Sequence, residues 1–223
     1  MSSMMGMPVG RKKSLHVWRA LLRVGWMAVL LGLTMEAILV TLAAGFGSLH
    51  GTKPMVADLV QKVSWSVVVC VGLAVGAMAE KARGPALGLS GLIAAPLAFT
   101  LARSLHKGAM HALGLAGSAR PGLALVLIAA VKAVQYGSFG LTLDWIAKKP
   151  WGGLAAHLAT GLAVGIIFGG GLLALQIQAA AQPPQLPALI SGAANEFLFP
   201  VGCALVIYVS KVMQSERPEG RIH

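Results

Sequence analysis

Six apolar stretches dominate this chain, and each is close to the roughly 20 residues that a helix needs to cross a bilayer. They run from about Val24 to Gly47, Val63 to Ala79, Gly84 to Leu101, Pro121 to Ile146, Trp151 to Leu175 and Leu186 to Val212. The third and fourth open near a proline, Pro85 and Pro121, where the missing N–H costs a helix nothing. No alternation of period two appears, which argues against a β-barrel. Charged residues are only 11% of the 223 and the mean hydropathy is +0.77, against roughly 25% charged in an average soluble domain. Too few charges remain to cover a water-facing surface. The expected fold class is all-α: a polytopic membrane bundle of six transmembrane helices. A disordered chain, a disulfide-stapled secreted scaffold and an ordinary cytosolic enzyme are all poor fits.

The net charge of +11 reads as membrane topology and not as nucleic-acid binding, because no basic stripe is interleaved with aromatics. Twelve Lys and Arg flank one side of the spans: Arg11, Lys12, Lys13, Arg19 and Arg23, then Lys81, Arg83, Lys148, Lys149, Lys211, Arg217 and Arg221. The other side has Lys53, Lys62, Arg103, Lys107 and Arg120. Cytoplasmic loops carry the excess of Lys and Arg. Residues 1–23 are therefore expected as a cytoplasmic basic segment, 24–212 as the six-helix domain and 213–223 as a cytoplasmic tail, with the inner membrane as location. The first apolar stretch is too long for a signal-peptide core of roughly 7–15 residues. The run Leu15–Leu22 around Trp18 either lies along the membrane surface or simply extends the first span. Cys70 and Cys203 sit inside apolar stretches and read as small buried hydrophobes.

The two halves of the chain echo each other. Gly32-Leu33-Thr34-Met35-Glu36 resembles Gly140-Leu141-Thr142-Leu143-Asp144, and Gly72-Leu73-Ala74-Val75-Gly76 recurs identically as Gly161-Leu162-Ala163-Val164-Gly165. Ser90-Gly91 and Ser191-Gly192 follow in the same order. A duplication of three helices would place the second half upside down, an arrangement found in many secondary transporters. Against it stand the abundance of glycine, leucine and alanine, and the different depths expected for Glu36 and Asp144. Gly72 and Gly76, and Gly161, Gly165 and Gly169, form small-residue stripes expected to pack the second helix on the fifth. Gly169-Gly170-Gly171 is expected to weaken the fifth helix, and Pro96 and Pro200 to kink theirs.

Charges at membrane depth are rare, and each is a functional hypothesis. Glu36, Lys132 and Glu196 fall roughly 15–18 Å from their helix starts by helical rise. Lys132 and Glu196 are expected to pair, with Glu36 completing a cluster at mid-depth and Gln135, Tyr136 and Asn195 nearby. Such a cluster has one surplus negative charge and invites a proton, a cation or a cationic solute. Asp144 and His157 are a candidate proton relay near the cytoplasmic face, set against the simpler reading that Asp144 caps the loop and His157 bonds a backbone carbonyl.

Between the third and fourth stretches, His106, Met110 and His111 are copper-compatible side chains at a spacing that matches no specific site. No metal or cofactor is therefore expected. Nucleotide-binding, haem, zinc-protease and serine-hydrolase motifs are missing from the sequence, and no enzymatic activity is expected. An intramembrane lipid enzyme would have only Asp144 and His157 to work with. Two readings of function remain. One is a small transport protein or permease subunit, proton- or cation-coupled, acting as a homo-oligomer or with other membrane subunits. The other is a non-catalytic accessory subunit of a larger respiratory, photosynthetic or secretion complex. The bilayer is a partner in both, and nucleic acid in neither.

Overall fold

The computed structural model describes residues 9–48, 51–79, 85–115, 122–178, 180 and 184–215, and within these gives only the backbone of 9–16, 122–124 and 214–215. Every regular element among them is helical: α1 (Val9–Gly45), α2 (Thr52–Ala79), α3 (Ala86–Ala112), α4 (Gly122–Ala147), α5 (Leu154–Val164), α6 (Gly170–Gln178) and α7 (Leu186–Ser215). A π-helical turn, Gly165–Gly169, joins α5 to α6. The two form one span, Leu154–Gln178, so that six helices are long and apolar enough to cross a membrane. Short connections make neighbours antiparallel. The links after α1, α3 and α6 thus mark one end of the bundle, here the loop end. The start of α1, the end of α7 and the links after α2 and α4 mark the other, the terminal end. The side chains of Arg11, Lys12 and Lys13, and all of Lys81, Arg83, Arg120, Arg217 and Arg221, lie outside the described residues.

Apolar side chains point outward as well as inward. Leu30, Ile93, Leu97, Val126, Leu127, Val134, Ile166 and Ile167 are all exposed. In water such a surface would aggregate, whereas hydrocarbon solvates it. The six helices and their apolar exterior suggest a multi-pass membrane protein. At the terminal end Trp145 and Trp151 meet edge to face at 5.6 Å, and the Lys149 ammonium lies 4.9 Å from the Trp145 ring. Exposed aromatic and basic groups of this kind suit the headgroup level.

Helix lengths depart from expectation where polar residues interrupt an apolar stretch. α1 is a single unbroken helix, so Leu15–Leu22 extends the first span. α2 begins about eleven residues before the expected Val63, and α3 runs about eleven past Leu101. Lys53, Asp58, Gln61 and Lys62 are therefore helical, as are His106, Met110 and His111. α1 and α3 both close with a glycine in the left-handed region, Gly47 (φ +63°) and Gly114 (φ +72°). The following N–H groups turn back onto the Ala43 and Met110 carbonyls, as in a Schellman cap.

The glycine stripes do bring helices close, but not α2 to α5. An added Cβ on Gly72 would meet Ala94, and one on Gly76 would meet Ser90, both on α3. Cβ atoms on Gly161, Gly165 and Gly169 would stand 2.6–2.7 Å from Pro200, Val201, Phe197 and Glu196 on α7. The stripe on the second span thus seats the third, and that on the fifth seats the sixth. Each stripe faces the next helix of its own half, which the linear sequence does not encode. α3 and α4 approach closest: a Cβ on Gly91 would lie 2.1 Å from the Tyr136 carbonyl oxygen, and one on Gly140 2.4 Å from that of Leu87. At the α1–α2 crossing the Ser66 hydroxyl donates to the Ala28 carbonyl at 2.6 Å.

The core runs between the halves. Trp65, Tyr136, Phe139 and Phe199 make a chain of edge-to-face contacts with centroids 5.8–6.3 Å apart. Beside them, fully buried, the Cys70 and Cys203 sulfurs lie 3.6 Å apart as free thiols. They join α2 to α7, and closing to the ~2.05 Å of a disulfide needs only a small shift. Prolonged oxidation with iodine should produce one intramolecular disulfide, read as simultaneous loss of both alkylatable thiols by mass spectrometry. Crosslinks formed only between molecules would contradict this packing.

Candidate functional site

Four charged side chains lie at one level. Glu36 is nine residues before the end of α1, and Lys62, Lys132 and Glu196 each lie ten residues into α2, α4 and α7. By helical rise all four are about 15 Å from the loop end. Their side chains are 10–16% exposed. They form two ion pairs. The Lys132 ammonium donates to the Glu196 carboxylate, and the Lys62 ammonium lies 2.7 Å from Glu36 Oε2.

Lys132 and Glu196 thus meet as expected from their matched depth. Glu36 does not join them, because Lys62 of the neighbouring helix reaches it first. The expected surplus of one negative charge disappears with that pairing, since two lysines face two glutamates.

A cavity of about 340 Å³ opens at this level, lined by Lys62, Lys132 and Glu196. Gln61, Gln176, Ser191 and Asn195 add polar wall, and Trp65, Phe99, Tyr136 and Phe199 add aromatic wall. The Lys132 ammonium sits 5.6 Å from the Trp65 ring centroid. A second cavity, of about 270 Å³, lies toward the loop end between Glu36, Asp58, Lys62, Ser48 and Gln185. The two share Leu39, Lys62 and Ser191 in their walls, so they adjoin between the loop end and the level of the ion pairs. Asp58, in the wall of the second, accepts a contact from His106 Nε2 at 3.1 Å. This bond ties α2 to α3. Among the described residues no group of three or more His, Cys, Asp or Glu is placed to hold a metal.

Helix irregularities gather beside Glu196. Pro200 has no N–H, so the Glu196 carbonyl, four residues earlier, loses its ladder partner. Facing it, the π turn Gly165–Gly169 interrupts the fifth span. π turns of this kind occur often at functional sites. The weakening expected at Gly169–Gly171 therefore falls slightly earlier, and the helix continues through Gln178.

The remaining candidates separate. Asn195 and Tyr136 line the cavity. Gln135 does not: it is fully buried on another face of α4, and neither amide atom has a hydrogen-bond partner. Asp144 and His157 form no relay. Asp144, near the end of α4, accepts from Lys148 in the turn that follows at 2.5 Å, while His157 Nδ1 contacts the Gly153 carbonyl at 3.0 Å and its ring packs on Tyr208. His157 thus bonds a backbone carbonyl, whereas Asp144 pairs with a lysine side chain instead of capping the loop.

Lys62, Gln61 and Trp65 escaped the sequence because Lys62 and its polar neighbours look like a loop. The signal was Pro54, at the start of α2, which marks a helix start just as Pro85 and Pro121 do. Comparison of the chain with family models, characterised proteins and solved structures finds no match.

Proposed function

We propose that the chain is a small transport protein or permease subunit of the inner membrane that passes a polar solute through the central cavity. The observation that carries this reading is the Lys132–Glu196 ion pair, which lines a cavity adjoining a second one toward the loop end. A purely structural pair has no need of adjoining space. A π turn and a ladder bond lost to Pro200 lie beside Glu196, and irregularities of this kind occur often at functional sites.

An inverted repeat gives this reading a mechanism, since two mirrored halves rock about a shared site. In its favour, Gly72 and Gly76 seat the third span while Gly161 and Gly165 seat the sixth. Against it, Glu36 and Asp144 have unrelated partners at different depths. Cytoplasmic termini follow from the Lys and Arg bias of the sequence.

Full-length protein in proteoliposomes, screened with labelled amino acids, sugars and inorganic cations, should carry at least one of these classes. Glu196→Gln and Lys132→Met should each abolish that flux. Full transport by both variants would contradict the proposal. The neutrality of the four charges favours a second reading, an accessory subunit in which the pairs are architectural. Co-purification with other membrane subunits at fixed stoichiometry, with no flux by the isolated chain, is its expected result.

A further inference from the structure

We infer that the central cavity takes a zwitterionic solute with an apolar side group, of the size of leucine or phenylalanine, an inference that rests on the transport reading above. The charge balance is the first reason. Lys132, Glu196, Lys62 and Glu36 cancel, so a solute of either net charge would leave one ion of these mostly buried pairs uncompensated. A zwitterion leaves none. Its carboxylate replaces Glu196 on the Lys132 ammonium, and its ammonium replaces Lys132 on the Glu196 carboxylate. One ion pair opens and two form, each satisfied by opposite charge.

Size and wall chemistry agree. A volume of about 340 Å³ is near the bottom of the range for small-molecule sites, roughly 300–1,000 Å³. A solute of the size of leucine or phenylalanine fits within it. Trp65, Phe99 and Phe199 offer an apolar surface for the side group, while Asn195 and Gln61 supply donors and acceptors for the charged end. The approach has the same character. The outer cavity presents Lys62 beside Glu36 and Asp58, so both charged ends of the solute meet a partner on the way in.

The test uses full-length protein in proteoliposomes at neutral pH and measures uptake of labelled phenylalanine and leucine. Competitors are unlabelled phenylalanine, its anionic N-acetyl derivative and the cation phenethylamine, which share one ring and differ in charge. Phenylalanine should compete at least ten-fold better than either singly charged compound. Lys132→Gln should lose phenylalanine uptake and gain uptake of labelled phenethylamine at least ten-fold over wild type, a change that a merely structural lysine would not produce. Should that variant fail to fold, the wild-type competition series decides alone. Equal or better competition by either singly charged compound overturns the inference. Flux of a sugar or an inorganic cation without amino-acid uptake also overturns it, while leaving the transport reading intact. No flux of any solute above protein-free vesicles overturns both.

Discussion

Glu196→Leu alone should cost about 3–5 kcal/mol of stability, because it strands the Lys132 ammonium without a counter-ion in a mostly buried site. Lys132→Met alone should cost a similar amount, for the mirror-image reason. The double variant Lys132→Met/Glu196→Leu should lie within about 1–2 kcal/mol of wild type, since removing both charges also removes both desolvation penalties. A double-mutant cycle on apparent melting temperature in detergent measures this non-additivity. Function should follow the opposite rule: the double variant folds yet carries no solute. A double variant that both folds and transports would reduce the pair to architecture. Additive losses in stability would mean that the two side chains do not meet.

The second large effect is expected at the seam between the halves. Gly91→Ala puts a methyl group 2.1 Å from the Tyr136 carbonyl oxygen, and Gly140→Ala puts one 2.4 Å from that of Leu87. Backbone cannot step aside as a flexible side chain can, so α3 and α4 must separate. The cost should exceed the roughly 1–3 kcal/mol typical of overpacking. Tyr136 lines the cavity, so the same change should also disturb transport. Gly171→Ala is the control. A Cβ there meets nothing within 4 Å, and the gain in helix propensity should stabilise by up to ~1 kcal/mol. Equal losses at Gly91 and Gly171 would show that the helices are not packed as described.

What the sequence made legible follows from what it encodes locally. Apolar runs define helices, because every backbone polar group in hydrocarbon must be satisfied within its own segment. That made the six spans readable, along with the matched depth of Lys132 and Glu196. Partner choice is not local. Whether Gly72 faces α3 or α5 depends on rotation about the helix axis, and both faces of these helices are apolar. The omission of Lys62 has a different cause. A lysine paired with a glutamate on a neighbouring helix looks, in linear sequence, like a loop lysine. It becomes a membrane-depth charge only once α2 is extended back to Thr52. That single residue changed the site from a cluster with surplus negative charge to a neutral one, and with it the class of solute that fits.

The central claim is that the Lys132–Glu196 level is a water-accessible cavity. Cysteine accessibility tests it most directly. In a Cys70→Ala/Cys203→Ala background, Asn195→Cys on the cavity wall should react with a small membrane-impermeant thiol reagent added to intact vesicles. Ile167→Cys, on the apolar exterior of the π turn and 68% exposed, should not, because only hydrocarbon reaches it. Labelling at Asn195→Cys with none at Ile167→Cys is the predicted result. No labelling at Asn195→Cys, from either side of the membrane, would contradict the account.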